Sequence, residues 1–306
     1  MKKTIIAASI AAVVAAPAAF ADVSISGQIN QEFFDLDSST TGIGSERNAD
    51  IVFSASEDLG NGMKAFAKMV TTFDDNSSAA TSDTADGSGT TAGMMAQGST
   101  QIVGLSGDFG KITFGKSETF IESKVAASAA NDASEGISNE VATGLGGSAE
   151  ATVEYTSPSF NGFTVVASGR GTTDSSDDLD TTSIGFNYSN GPLTVMAAQA
   201  SAEDTADTED TVVAAHYKMG DIKVGVVHAE VEASGATTDE TWYGASYTMG
   251  ANTFSISTKS SDTAGAEDDI FSVKHAMSKN VNVYLVHVND EAANSDKTAV
   301  GMQVKF

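Results

Sequence analysis

Cysteine is absent from this chain, proline occurs three times and tryptophan once. Without a thiol there is no disulfide, no thiol nucleophile and no cysteine-ligated metal. Small exported domains usually lean on disulfides, so an exported chain without them needs a large regular structure. Long hydrophobic runs are also missing. No apolar stretch approaches the twenty or so residues that a spanning helix requires, and 41% hydrophobic residues is low for a helical membrane protein. Positive charge is scarce: 16 Lys and Arg stand against 41 Asp and Glu, for a net charge of −25. Such a chain repels nucleic acid, which is excluded as a partner.

What is present begins with a leader. Lys2 and Lys3 precede a short apolar core, Ile5 to Val14, and Ala19-Phe20-Ala21 forms a small-x-small cleavage site. This divides the chain into a signal peptide, 1–21, and a mature barrel domain, 22–306. The leader holds two lysines and no acid, so cleavage takes the charge from −25 to −27. At the other end, Val300, Met302, Val304 and Phe306 alternate with Gly301, Gln303 and Lys305. A period of two with one apolar face marks a strand. A chain that ends on its apolar aromatic fits a closed barrel, where the last strand pairs with the first and faces lipid.

The same alternation recurs. Ile184, Phe186 and Tyr188 share a face, as do Ile222, Val224 and Val226, and Phe163, Val165 and Ala167. Gly- and Asn-rich tight turns fall at 57–62, 107–110, 157–162, 189–192, 219–221, 249–252 and 278–280. Longer polar loops are expected near 36–48, 73–99, 115–148, 171–180, 203–209, 233–239, 261–268 and 290–297. Seven tight turns join seven strand pairs, and one strand at each end makes sixteen. The fold class is all-β: a 16-stranded antiparallel transmembrane barrel. Tyr155, Phe163, Tyr188, Tyr217 and Tyr247 lie beside tight turns, where an aromatic girdle belongs. A soluble sandwich shares the alternation but not one side of tight turns and one of long loops. The regular alternation also argues against a disordered acidic chain. The longest loop opens with Ser117 to Val125, which has the makings of a short helix, and a loop of that length usually has a job.

Several motifs resemble one family, in its order along nearly the whole mature chain. They are Ser56-Glu57-Asp58-Leu59-Gly60-Asn61-Gly62-Met63-Lys64-Ala65, Val103-Gly104-Leu105-Ser106-Gly107-Asp108-Phe109-Gly110-Lys111, and Tyr155-Thr156-Ser157-Pro158-Ser159-Phe160-Asn161-Gly162. Ala276 to Asn280 with Tyr284, and the terminal strand, complete the set. The chain resembles the trimeric general porins of Gram-negative outer membranes, of the neisserial and betaproteobacterial type. The resemblance implies a homotrimer in the cell outer membrane with one water-filled pore per subunit, passing ions and small hydrophilic solutes. It implies that loop 115–148 folds inward to narrow the pore and that loop 73–99 latches onto a neighbour. It also implies lipid and lipopolysaccharide contact, and recognition of Phe306 by the outer-membrane assembly machinery.

In that family, acids on the inward loop face bases on the wall. The acid side is present here: Glu118, Glu122, Asp132, Glu135 and Glu140. The basic side reads as thin, with Arg47 and Arg170 the two arginines. Asp50 and Glu154 stand where relatives carry inward arginines, and both alternate with apolar neighbours. Lys64 and Lys68, then Arg170, are the expected inward bases, with Lys218, Lys223 and Lys274 further candidates. A lumen lined this way favours cations. The bland alternative places the charge on solvated loops. A plugged or adhesive barrel is the other function class, and a sugar-specific channel would need more aromatics than Trp242 and Phe66. An enzyme is not expected, since His216, His228, His275 and His287 sit inside strands without ligand spacing, and no nucleophile is singled out. His275 reads as an interfacial residue. No cofactor is expected. Acidic loops such as Asp177-Asp178-Leu179-Asp180 and Glu267-Asp268-Asp269 leave calcium open.

Overall fold

The structure, a computed structural model, describes residues 22–36, 40–44, 49–73, 96–121, 145, 149–171, 181–202, 208–263, 267–290 and 295–306. The leader and most of the expected long loops lie outside the described residues. Alternating sequence becomes strand throughout. The first nine segments are β1 (Asp22–Leu36), β2 (Thr40–Gly44), β3 (Ala49–Gly60), β4 (Met63–Phe73), β5 (Ala96–Gly107), β6 (Gly110–Ser117), β7 (Ala149–Thr156), β8 (Phe163–Arg170) and β9 (Thr181–Asn190). Then follow β10 (Leu193–Ala202), β11 (Thr208–Met219), β12 (Ile222–Ala233), β13 (Ala236–Met249), β14 (Asn252–Ser261), β15 (Asp268–Ala276), β16 (Val281–Asp290) and β17 (Ser295–Lys305).

These 17 segments form one sheet. β2 and β3 lie end to end along β1, one against Glu32 to Leu36 and the other against Asp22 to Gln28. They are two parts of a single stave, so the barrel has sixteen. β1 pairs on its other edge with β17, from Gln28 opposite Lys305 to Leu36 opposite Lys297. Phe306 completes the closure: it exchanges two backbone hydrogen bonds of 3.0 Å with Gly27. Among the described strands no edge is left open, as lipid demands.

All seven tight turns fall where the sequence places them. Asn61-Gly62 and Asn161-Gly162 show why: their φ angles are 53° and 76°, and 51° and 86°, the positive pair that a two-residue hairpin needs. Two loops differ from expectation. The segment 36–48 contains β2, and 233–239 shrinks to the turn Ser234-Gly235 between β12 and β13. Polar residues there read as loop, yet they pair as strand, with Glu230 opposite Asp239 and Glu232 opposite Thr237. Those rows stand beyond the apolar band, where strands carry polar residues outward.

The outer face is apolar around the middle: Val103, Phe114, Phe186, Ile256 and Val300 are all exposed. Near the tight turns Tyr155, Phe163, Tyr217 and Tyr247 are exposed on that face, and Phe163 stacks on Tyr188 at 4.4 Å between centroids. The Tyr155 hydroxyl donates to the Phe109 carbonyl at 2.8 Å. This is the expected girdle, with His275 exposed beside it and bonded to Asn252. Among the described residues no helix is long and apolar enough to cross a membrane; the strands do so. Ile256→Arg, at the middle of the outer face, should cost about 2–4 kcal/mol. Ser246→Arg, on the lumen face, should cost much less. Urea titration of protein refolded into lipid vesicles measures both.

Candidate functional site in the barrel lumen

The register divides the inner wall into two unlike halves. On β3 to β7 it is polar. Asp50 faces inward and accepts from Thr72 Oγ1 at 3.0 Å and Gln28 Nε2 at 3.5 Å. Lys64 stands between Asp58 and Ser106, and Lys68 between Ser54 and Ile102, both exposed to the lumen. Lys111 Nζ lies 4.0 Å from Glu154 Oε1, with the two side chains 43% and 16% exposed. A pair that open contributes little to stability, in the range of about 0–1 kcal/mol. Its weight is in the local field. Glu118, Lys111, Glu154, Thr164 and Asn187 border an open cavity of about 350 Å³.

On β10 to β16 the inner wall carries an apolar patch, with Lys218, Lys223 and Lys274 nearer the tight turns. Val212, Val227, Trp242, Ile270 and Val286 form a buried cluster there, joined by Phe120 and Ile121 from the chain that follows β6. Trp242 Nε1 donates to Glu240, and Lys259, ion-paired with Asp268, sits over the Trp242 ring at 5.4 Å. The Trp242 N–H and the Lys259 ammonium thereby find partners within the wall.

Two points of the long loop are fixed to this inner surface. The Phe120 ring occupies the space that a Cβ on Gly185 of β9 would fill. Leu145 donates its N–H to Asp210 Oδ2 of β11 at 2.6 Å, and Arg170 Nη1 of β8 donates to the Leu145 carbonyl at 3.5 Å. At its described points, Phe120, Ile121 and Leu145, the connection between β6 and β7 lies against the inner face of β9 and β11. Phe120 and Ile121 already have helical backbone. Burying one such aromatic stabilises by about 1.5–3 kcal/mol.

The sequence-derived site residues divide accordingly. Glu118, Asp50, Glu154, Lys64 and Lys68 line the polar half. Arg170 also faces inward, but it holds the loop backbone. Glu122, Asp132, Glu135 and Glu140 lie outside the described residues. The thin basic side needs correcting. Lys111, Lys259, Lys297 and Lys305 also point inward by register, as do Lys218, Lys223 and Lys274. Trp242 faces inward but is 2% exposed, so it packs instead of lining a path, and Phe66 packs over Gly104. The four histidines lie in strands. Asp177 to Asp180 lie outside the described residues, and in Glu267-Asp268-Asp269 alternation sends Asp268 inward to Lys259 and Asp269 outward. Among the described residues no three His, Cys, Asp or Glu converge on a metal position.

The apolar inner wall escaped the sequence reading. Its signal is a strand apolar on both faces, as in Val224-Gly225-Val226-Val227 and Tyr284-Leu285-Val286.

A closed barrel with a wet, charged inner half defines a transmembrane channel. The family model for Gram-negative porins matches residues 7–295, and the chain belongs to that family: it is an outer-membrane channel of the general porin type, and the fold is that of a channel rather than an enzyme. No curated protein matches the sequence. The fold is similar to the anion-selective porin from Comamonas acidovorans, at 18% identity and TM-score 0.70, covering 94% of this chain and 100% of that one. It is similar to the trimer form of OmpT from Vibrio cholerae, at 17% identity and TM-score 0.67, covering 94% and 99%. A Salmonella typhi OmpF complex with daunomycin matches at 15% identity and TM-score 0.70, covering 93% and 97%.

Gly185→Val should drive Phe120 off the wall. Because Trp242 is the sole tryptophan and shares the cluster, its emission should shift to the red, and single-channel conductance should change by tens of per cent. Unchanged emission and conductance would mean that Phe120 does not hold the loop.

Proposed function

We propose that three copies of this chain associate, each barrel enclosing a general diffusion pore for ions and small hydrophilic solutes that prefers cations. The observation that carries the reading is the polar half of the lumen, where Glu118, Glu154 and Asp50 stand at an open wall. The inward lysines moderate this charge. The larger surplus of acid stands at the long-loop mouth, where Asp262, Glu267 and Asp269 are exposed. Charges around a narrow opening with low-dielectric walls concentrate the opposite ion. The trimer form of the similar OmpT barrel supports a homotrimer. Residues 73–99, the expected latch, fall largely outside the described residues. The exposed aromatic Phe306 supports recognition by the assembly machinery, and the girdled apolar face supports contact with outer-membrane lipid and lipopolysaccharide.

Purified protein in a planar bilayer should show stepwise conductance and, under a potassium chloride gradient, a cation-selective reversal potential. Asp50→Arg with Glu154→Arg should lower the cation-to-anion permeability ratio severalfold. Selectivity that ignores both changes would sink the cation reading and assign the acidity to solvated loops. Folded protein without channels would overturn the pore itself in favour of a plugged or adhesive barrel. Unheated, mild-detergent electrophoresis should show a species of three times the chain mass.

A further inference from the structure

The ladders that lead to the long connections are not alike. In β8–β9, β10–β11, β12–β13, β14–β15 and β16–β17 the register runs unbroken to the last described pair. In β4–β5 it shifts between Met69 and Thr71, and in β6–β7 it breaks at the root of the longest connection. There Gly115 stands opposite Thr152, yet Ser117 stands opposite Ala149. Glu150 and Ala151 are thus left opposite the single residue Lys116. That is a β-bulge, and bulges end pairing and re-aim the chain that follows. Two backbone positions carry it. Ala151 has a φ of 55°, a left-handed conformation that a residue with a Cβ adopts at a cost. Gly115 has a φ of 128°, and a Cβ there would run into the Gln101 carbonyl oxygen of β5, so glycine is required. The change of direction follows at once. Glu118 borders the cavity shared with Glu154, Thr164 and Asn187 of β7, β8 and β9. Thr119, Phe120 and Ile121 are buried, and Phe120 already lies on Gly185 of β9. Between Ser117, the end of β6, and Phe120 the chain has crossed the inner face of β7 and β8.

We propose that Gly115 and Ala151 are positioning residues of the channel: the bulge they form turns the chain after β6 inward and seats Phe120 and Ile121 on the apolar patch. A regular ladder would carry β6 and β7 on along their staves, as β12 and β13 run unbroken to the turn at Ser234-Gly235. The bulge ends that continuation. Hydrophobic attraction alone does not place the aromatic, because the chain must already head inward for Phe120 to reach Gly185 so soon after the strand ends. Glycine is the usual residue at the left-handed position of such a bulge, and alanine holds it here. A strained backbone of that kind persists where the surrounding structure over-determines it, and such strain clusters at functional sites. The effect on current rests on the reading of the lumen as an open pore. The effect on Trp242 does not, since Trp242 shares its buried cluster with Phe120 and Ile121.

The test uses variants of the full chain folded into lipid vesicles and planar bilayers. Deleting Ala151 leaves Glu150 opposite Lys116 and Ala149 still opposite Ser117, which is a regular ladder. Phe120 should then leave the wall. Trp242 emission should shift to the red by as much as it does in Phe120→Ala, and single-channel conductance should change by tens of per cent. Combining the deletion with Phe120→Ala should move the emission no further, because both changes act on one contact. Ala151→Gly keeps the bulge and eases its backbone. Its emission and conductance should match those of the unaltered protein, while its urea midpoint holds or rises. A deletion variant that folds, shown by the altered migration of an unheated sample, and keeps both emission and conductance overturns the proposal. So does a red shift that adds to that of Phe120→Ala, which would mean general loosening. If the deletion prevents folding, Gly115→Val decides, since valine cannot keep that backbone: a red shift supports the proposal and unchanged emission overturns it. Absence of conductance in the unaltered protein instead refutes the pore and leaves the emission test standing.

Discussion

Everything in this molecule depends on the closing ladder between β1 and β17. A strand edge left open in hydrocarbon exposes N–H and C=O groups that cost several kcal/mol each. The pairing of Gln28 to Leu36 with Lys305 to Lys297, finished by Phe306 on Gly27, removes the last such edge. Gly27 is small because the Phe306 ring lies against it on the outer face. Closure fixes the stave number, the stave number fixes the width, and the width leaves a space that this sequence fills only on one side.

Within the band that faces lipid, the strands are apolar outward and mixed inward. Beyond it, along β12, β15 and β16, the polarity swaps: His228, Asp269 and His287 point out, while Val227, Ile270 and Val286 point in. The inward patch is what Phe120, Ile121 and Leu145 cover. These contacts, a hydrophobic cluster and a peptide clamped between Asp210 and Arg170, fall outside the polar stretch of β3 to β7. Asp50, Lys64, Lys68, Lys111 and Glu154 stand on that polar wall.

The fold was largely legible because barrel strands obey a local rule. Ile184-Gly185-Phe186-Asn187-Tyr188 declares both faces by itself, and Asn61-Gly62 declares its hairpin. Where the rule is purely local it also misled: residues 236–239 read as loop, although pairing with β12 makes them strand. The site was legible only in part. Asp50 and Glu154 could be turned inward by alternation alone. The role of Arg170 could not, because its partner Leu145 lies 25 positions away along the chain, across a contact that no periodicity encodes. Nor did the number of arginines measure the basic lining, since lysines scattered singly over many strands converge only when the sheet closes.

Strands that are apolar on both faces bring a consequence for biogenesis. Before closure, a segment such as Val224 to Val231 has neither lipid for its outer side nor Phe120 and Ile121 for its inner one. Val224, Val226, Val227 and Val231 dominate it, with Glu230 its one acid, a composition that favours intermolecular sheets. In water this stretch is a place where an unclosed chain is prone to pair with another copy. The apolar patch that Phe120 and Ile121 cover in the closed barrel is thus open surface until closure brings them to it.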